Sequence, residues 1–143
     1  MKTIDRLNSI FSSKVEINIE KDNEHYEGTE FIYENKTYKS RLAKKTPTKN
    51  GYFVVFYKKN NEGINEPFSS DENIDELIIF VLDDKIGGYF KFNKEILLKQ
   101  GILKNKENCG KMGFRVYAPW NNNLNKTAKK NKLWQTKYFV NFE

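Results

Sequence analysis

Apolar positions along the chain follow two periods, and the switches between them mark out the elements. Ile4, Leu7, Ile10 and Phe11 recur at helical spacing, which predicts an amphipathic helix at the start of the fold. Residues 30–42 change to a period of two around Asn35-Lys36, a hairpin tip, so that Tyr38, Ser40 and Leu42 face one way and Lys39 and Arg41 the other. Residues 52–57 (Tyr-Phe-Val-Val-Phe-Tyr) and 77–82 (Leu-Ile-Ile-Phe-Val-Leu) have no polar face, and both are predicted to be central strands covered on two sides. A turn at residues 83–88 leads into a strand with Phe90 and Phe92 inward. Asn93 then caps a short helix with Glu95 in its first turn and Gly101 as its stop. Phe114 and Val116 face the core from a further strand, with Arg115 and Tyr117 on its other face. Pro119 ends that strand, and Leu124, Ala128, Trp134, Tyr138 and Phe139 predict one or two terminal helices. The sum is an α/β (α+β) sandwich, a mixed central β-sheet flanked by helices.

At 143 residues and 38% hydrophobic content the chain suits one domain, residues 1–143, with no internal repeat. The longest apolar run, residues 77–82, falls far short of the roughly 20 residues of a membrane span. Met1-Lys2-Thr3-Ile4-Asp5-Arg6 does not open an apolar signal core, so a cytoplasmic protein without a membrane partner is expected. Cys109 is the one cysteine and His25 the one histidine, which excludes an intramolecular disulfide and a Cys/His zinc set. No cofactor is expected.

Charge changes the picture through its distribution. Residues 1–34 carry a net −4, residues 35–59 a net +8 with no acid, residues 60–84 a net −8 with no base, and residues 85–143 a net +10. Either the acidic and basic blocks neutralise each other across a sheet, or the basic block faces a polyanion. Residues 39–51 favour a ligand. They join two strands and set Lys39, Arg41, Lys44, Lys45 and Lys49 among Thr46, Thr48, Pro47 and Gly51. Lysine offers a mobile charge, arginine a fork matched to two phosphate oxygens, and the hydroxyls neutral donors. Downstream, Lys111, Arg115 and Trp120 interleave cations with an aromatic ring, as single-stranded nucleic acid requires. Trp134, at helical spacing from Tyr138, is assigned to the core.

Several of these stretches together resemble the MepB-like family. They are residues 40–54 around Arg41-Leu42-Ala43-Lys44-Lys45-Thr46-Pro47-Thr48-Lys49, then Pro67-Phe68 with Asp71 and Asp75, then Gly88-Tyr89-Phe90. Gly110-Lys111 with residues 115–120, and Trp134-Gln135 with Tyr138-Phe139, complete the pattern. The chain departs from that pattern at Tyr89, Asn93, Met112 and Ala118, and Met112 removes a cation. The resemblance implies a small bacterial protein without an established reaction and a fold similar to restriction endonucleases. Fold analogy alone does not establish nuclease activity.

A nuclease needs converging carboxylates for magnesium and a lysine to assist water. Asp71 or Asp75 with Asp83, and the Asp83-x-Lys85 spacing, are the candidates, although Asp83 and Lys85 also suit a polar hairpin tip. Gly110-Lys111 is not a P-loop, because residue 105 is Asn and residue 112 is Met. The expected function is non-catalytic nucleic-acid binding. The phosphates would be held by Lys39, Arg41, Lys44, Lys45, Thr46, Thr48, Lys49, Lys111, Arg115 and Trp120 without strong sequence preference, on DNA or RNA. The alternatives are the magnesium-dependent nuclease and a protein-interaction module using the acidic block, residues 60–84.

Overall fold

The longest apolar run is the spine of the structure, a computed structural model that describes residues 1–142. Strand β8 (Glu76–Asp83) buries Leu77, Ile78, Ile79, Phe80 and Val81 completely. Ile78 and Phe80 turn to one layer, and Leu77, Ile79 and Val81 to the other, so the strand has no polar face because both of its faces are covered. It runs parallel to β3 (Lys36–Leu42) and antiparallel to β9 (Ile86–Asn93). With β1 (Asn18–Ile19), β2 (Thr29–Tyr33) and β11 (Phe139–Asn141) these form a mixed six-stranded sheet in the order β1-β2-β3-β8-β9-β11.

Helix α1 (Lys2–Ile10) covers one face, seating Leu7 among Phe31, Tyr38, Ile78 and Phe80. The β2–β3 hairpin turns at Glu34 and Asn35, both with positive φ, one residue earlier than the pattern placed the tip. The short helix α2 (Lys94–Lys99) forms as predicted, with the Asn93 side chain accepting the Ile96 amide and Glu95 in its first turn.

Two expectations are corrected. Residues 52–57 do not form a strand covered on both sides. Strand β5 (Tyr52–Val55) is the middle of a separate three-stranded sheet, between β4 (Lys44–Lys45) and β10 (Gly113–Val116), stacked on the second face of the large sheet, and β6 (Lys58–Lys59) pairs with β7 (Asn65–Glu66) in a two-stranded one. Tyr52, Val54 and Phe56 point inward, and Phe53 and Val55 are half-exposed. A run of six apolar residues satisfies a period of two on either face, so the pattern conceals which face is open. The C-terminal stretch is likewise not wholly helical. Helix α3 (Lys126–Gln135) and a 3-10 turn (Thr136–Tyr138) are followed by β11, which pairs with β9 and lays Phe139 against Phe90. Trp134 packs on Phe92 at 5.2 Å between ring centres, as its assignment to the core requires.

Among the described residues, no helix is long and apolar enough to cross a membrane.

Candidate functional site

The basic segment divides at Leu42. On β3, Lys39 and Arg41 leave the face opposite α1 but do not reach the surface. Arg41 is wholly buried. Its Nε donates to Asn23 Oδ1 at 2.9 Å, and its Nη1 donates to Glu20 Oε1 at 2.9 Å and to the Ser40 carbonyl at 2.7 Å. Its guanidinium lies 5.1 Å from the Phe56 ring centre. Burial pulls the Arg41 pKa down, and the Glu20 carboxylate opposes that shift. Lys39 is also buried, held by Glu20 at 3.0 Å and Glu30 at 3.6 Å and seated over the Phe68 ring. Both were expected to hold phosphates. Both are instead internal ion pairs, because alternation along β3 turns every second side chain under the three-stranded sheet.

Beyond Leu42 the cations lie outside. Register aligns Lys44, Phe53 and Arg115 in one row across β4, β5 and β10, on the outer face of the small sheet. Phe53 meets Tyr26 edge to face, and Lys44 Nζ sits 4.9 Å over the Tyr26 ring. Arg115 shapes the following loop, its Nη2 donating to Thr46 Oγ1 at 2.8 Å, the Asn50 carbonyl at 2.9 Å and the Lys49 carbonyl at 3.3 Å. Thr46 Oγ1 also donates to the Lys49 carbonyl, so this hydroxyl is occupied within the turn. Gly51 closes the loop with φ +89°, and a Cβ there would stand 2.6 Å from the Tyr117 ring. Thr48 and Lys49 project from the loop and line a cleft of about 410 Å³ with Arg115, Tyr117, Asn125 and Thr127. The N-terminus of α3 borders this cleft. Its first turn carries no acid, and Asn125 caps it by accepting the Ala128 amide. Unsatisfied amides and the helix dipole make such an end favourable to anions.

Lys111 is exposed and lines a second cleft, of about 460 Å³, on the other side of Arg115 and Tyr117. Neither cleft has a carboxylate in its lining. A larger cleft of about 720 Å³ lies elsewhere. It sets Lys58, Lys104 and Lys106 beside Glu66, Asp71 and Glu107 and so favours neither sign of ligand.

Two more expected residues belong to internal contacts. Lys45 is exposed but pairs with Asp83 at 2.8 Å. Trp120 is half-buried, its Nε1 donating to the Tyr52 hydroxyl at 2.8 Å and its ring set edge-on to Phe139, so it anchors loop to core. Tyr52 in turn donates to Asp83 at 2.6 Å. Lys45, then Tyr52, hold the Asp83 carboxyl below the usual range, while burial and Asp83 push Tyr52 up to about 12.

The candidate metal carboxylates do not converge. Asp75 lies just before β8 and Asp83 ends it, roughly 26 Å apart at the rise of a strand. Asp75 accepts the Thr37 amide, Asp71 lies at the large cleft, and Lys85 is exposed at the β8–β9 tip. The acidic block does not form one face either. Glu66 and Glu72 pair with Lys58, Glu76 is buried near Lys91, and Asp83 pairs with Lys45.

The MepB-like family profile matches residues 20–141, most of the chain. This chain belongs to the MepB-like family. A solved structure described as the crystal structure of MepB is 46% identical to it and superposes with a TM-score of 0.89, covering 100% of this chain and 98% of that one. No match is found among curated proteins. The MepB-like match begins at Glu20, the carboxylate that holds Arg41 and Lys39, so the buried ion-pair cluster lies wholly within the family region.

Phe53 of the outer row and Tyr26, which packs on it, were not among the expected site residues. Phe53 was hidden by its apolar neighbours, and Tyr26 lies in a 3-10 helix (Lys21–Tyr26) with no periodic signal. The single hint for Phe53 was its register with Lys44 and Arg115, which a sequence without strand pairings does not reveal.

Proposed function

We propose that this MepB-like protein is a cytoplasmic, non-catalytic nucleic-acid-binding protein whose contact surface is the outer face of the small sheet and the loop of residues 46–50. The observation that carries this reading is the row Lys44, Phe53 and Arg115, flanked by Lys49 and Lys111, around two clefts with no acidic lining. Lys44, Lys49 and Lys111 supply mobile charges for phosphates, and the α3 N-terminus supplies oriented amides. Half-exposed Phe53 and Tyr26 offer rings on which bases stack without strong sequence preference. The likeness to restriction endonucleases implied for the family adds fold analogy alone, and the separation of Asp75 from Asp83 gives no support to a magnesium-dependent reaction at those residues.

The test is equilibrium binding of fluorescent oligonucleotides across a salt series. Log affinity is expected to fall linearly with log salt, with a slope set by about 0.7 per phosphate contact on single strands. Binding that ignores salt, or no binding at low salt, overturns the reading. Cleavage of plasmid or single-stranded DNA by pure protein with Mg²⁺ overturns its non-catalytic part.

A further inference from the structure

The outer edge of β10 carries unused backbone groups of a defined pattern. Phe56 donates to the Met112 carbonyl at 2.7 Å, and the register continues through Phe114 with Val54 and Val116 with Tyr52. Even-numbered residues of β10 therefore turn their amides and carbonyls to β5, and odd-numbered ones turn theirs outward. The outward groups are partly satisfied by side-chain and loop contacts. Gln135, buried on α3, accepts the Tyr117 amide at 2.8 Å and donates to the Arg115 carbonyl at 3.0 Å, so one carboxamide engages an outward C=O and the outward N–H two residues on. At the other end, Lys111 donates to the Ile102 carbonyl at 3.0 Å. Between them, the Gly113 amide and carbonyl and the Arg115 amide have no protein partner among the described residues. They border the cleft of about 460 Å³ that Lys111, Asn131 and Trp134 also line.

From this geometry we propose that the cleft receives a single unpaired nucleobase, whose hydrogen-bonding edge meets the Gly113 carbonyl and the Arg115 amide. The inference rests on the nucleic-acid reading above and specifies it as single-stranded. Gln135 serves as the template, since the unused C=O and N–H stand in the same relation along the strand as the pair its carboxamide already engages. Each base carries a donor beside an acceptor on its Watson–Crick edge: an amino group beside a ring nitrogen in adenine and cytosine, a carbonyl beside a ring N–H in guanine and in uracil or thymine. The cleft therefore accepts any of them, turned one way or the other, and rejects a base whose edge is occupied in a duplex. Peptide strand addition does not suit the site. A strand pairs along several consecutive residues, and here the unused edge is closed by Gln135 on one side and Ile102 on the other. Lys111 and Arg115, with no carboxylate in the lining, favour a ligand that carries phosphates.

The test uses the full ¹⁵N-labelled chain with three probes of equal phosphate count: a single-stranded oligonucleotide, its abasic counterpart and a duplex of half its length. The expected result is affinity at least about tenfold tighter for the single strand than for the abasic chain, which loses the base in the cleft together with those stacked on Phe53 and Tyr26. The Gly113 and Arg115 amide resonances should shift with the single strand only. Gly113 and Arg115 amides unmoved by the single strand, whatever its affinity relative to the abasic probe, overturn the base cleft and leave the phosphate surface standing. No binding of any probe at low salt overturns both. Shifts of the same amides with a glutamine-rich peptide but not with the oligonucleotide assign the cleft to carboxamides and overturn the proposal.

Discussion

Lys39-Ser40-Arg41 and Lys44-Lys45-Thr46 are neighbours in one acid-free basic segment, and they meet opposite fates. The first pair of cations is buried under the small sheet against Glu20, Glu30 and Asn23, where each charge needs a partner because water is absent. In the second group Lys44 lies on the outer face, where its charge is solvated and remains available, while exposed Lys45 pairs with Asp83 and Thr46 is held within the turn. A run of like charge thus says little about where charge is displayed, since strand alternation and the layer above decide it. Of the eight cations in residues 35–59, Lys39, Arg41, Lys45 and Lys58 are in ion pairs, so half of the segment neutralises acids from elsewhere in the chain.

The sharpest way to break this comparison is to strand the buried charge. Glu20→Ala leaves Arg41 enclosed without its carboxylate and is expected to cost about 3–5 kcal/mol, read as a lowered denaturation midpoint at unchanged slope. Replacing both partners with apolar side chains, Glu20→Leu with Arg41→Met, is expected to cost less than Glu20→Ala alone, since no unpaired charge remains. A loss under about 1 kcal/mol for Glu20→Ala would return Arg41 to the pool of ligand-binding candidates.

The next effect is smaller and of mixed character. Arg115→Ala removes the donors that hold Thr46, Lys49 and Asn50 and is expected to cost about 1–3 kcal/mol of stability together with weaker oligonucleotide binding. Lys44→Ala and Lys49→Ala separate the two properties. Stability should stay within about 0.5 kcal/mol, and each should lower the salt slope for single strands by about 0.7. If either lysine variant unfolds the protein without changing that slope, the outer row is structural and the comparison fails.

How much of this was legible in the sequence depends on what each element needed from afar. The β2–β3 and β8–β9 hairpins, the Asn93 cap and the two-sided burial of β8 follow from local chemistry, and all form. The separate small sheet was not legible, because residues 52–57 are apolar throughout and pair with residues 113–116 far along the chain. The burial of Arg41 was hidden for a related reason. Its partners Glu20 and Asn23 precede it by 21 and 18 residues and come from an irregular segment with no period to announce it. Alternation along β3 does place Lys39 and Arg41 on the face opposite Tyr38, yet a direction does not say what lies above it.

Lys45 tests the boundary between the two fates with the smallest effect, since it is exposed like Lys44 but paired like Arg41. Its partner Asp83 has a lowered pKa, set first by Lys45 and then by Tyr52. A carboxyl that is more acidic in the folded state stabilises the fold above its unfolded value, about 3.9, and loses that contribution as pH falls through the lower folded value. Lys45→Ala should therefore lower stability at pH 7 by under about 1 kcal/mol, the pair being largely solvated, and that deficit should shrink below pH 4 as Asp83 protonates. Tyr52, pushed up to about 12, acts at the opposite end: it stabilises the fold below its ordinary value of about 10 and loses that contribution as pH rises to 12. Denaturation midpoints of the native chain, Lys45→Ala and Tyr52→Phe at pH 3, 7 and 11 separate the two titrations. Because Asp83 already neutralises Lys45, Lys45→Ala should leave the salt slope of oligonucleotide binding unchanged, in contrast to Lys44→Ala one position away. A slope that falls equally for both would mean that Asp83 releases Lys45 to phosphate, and that exposure rather than pairing decides which cations serve the surface.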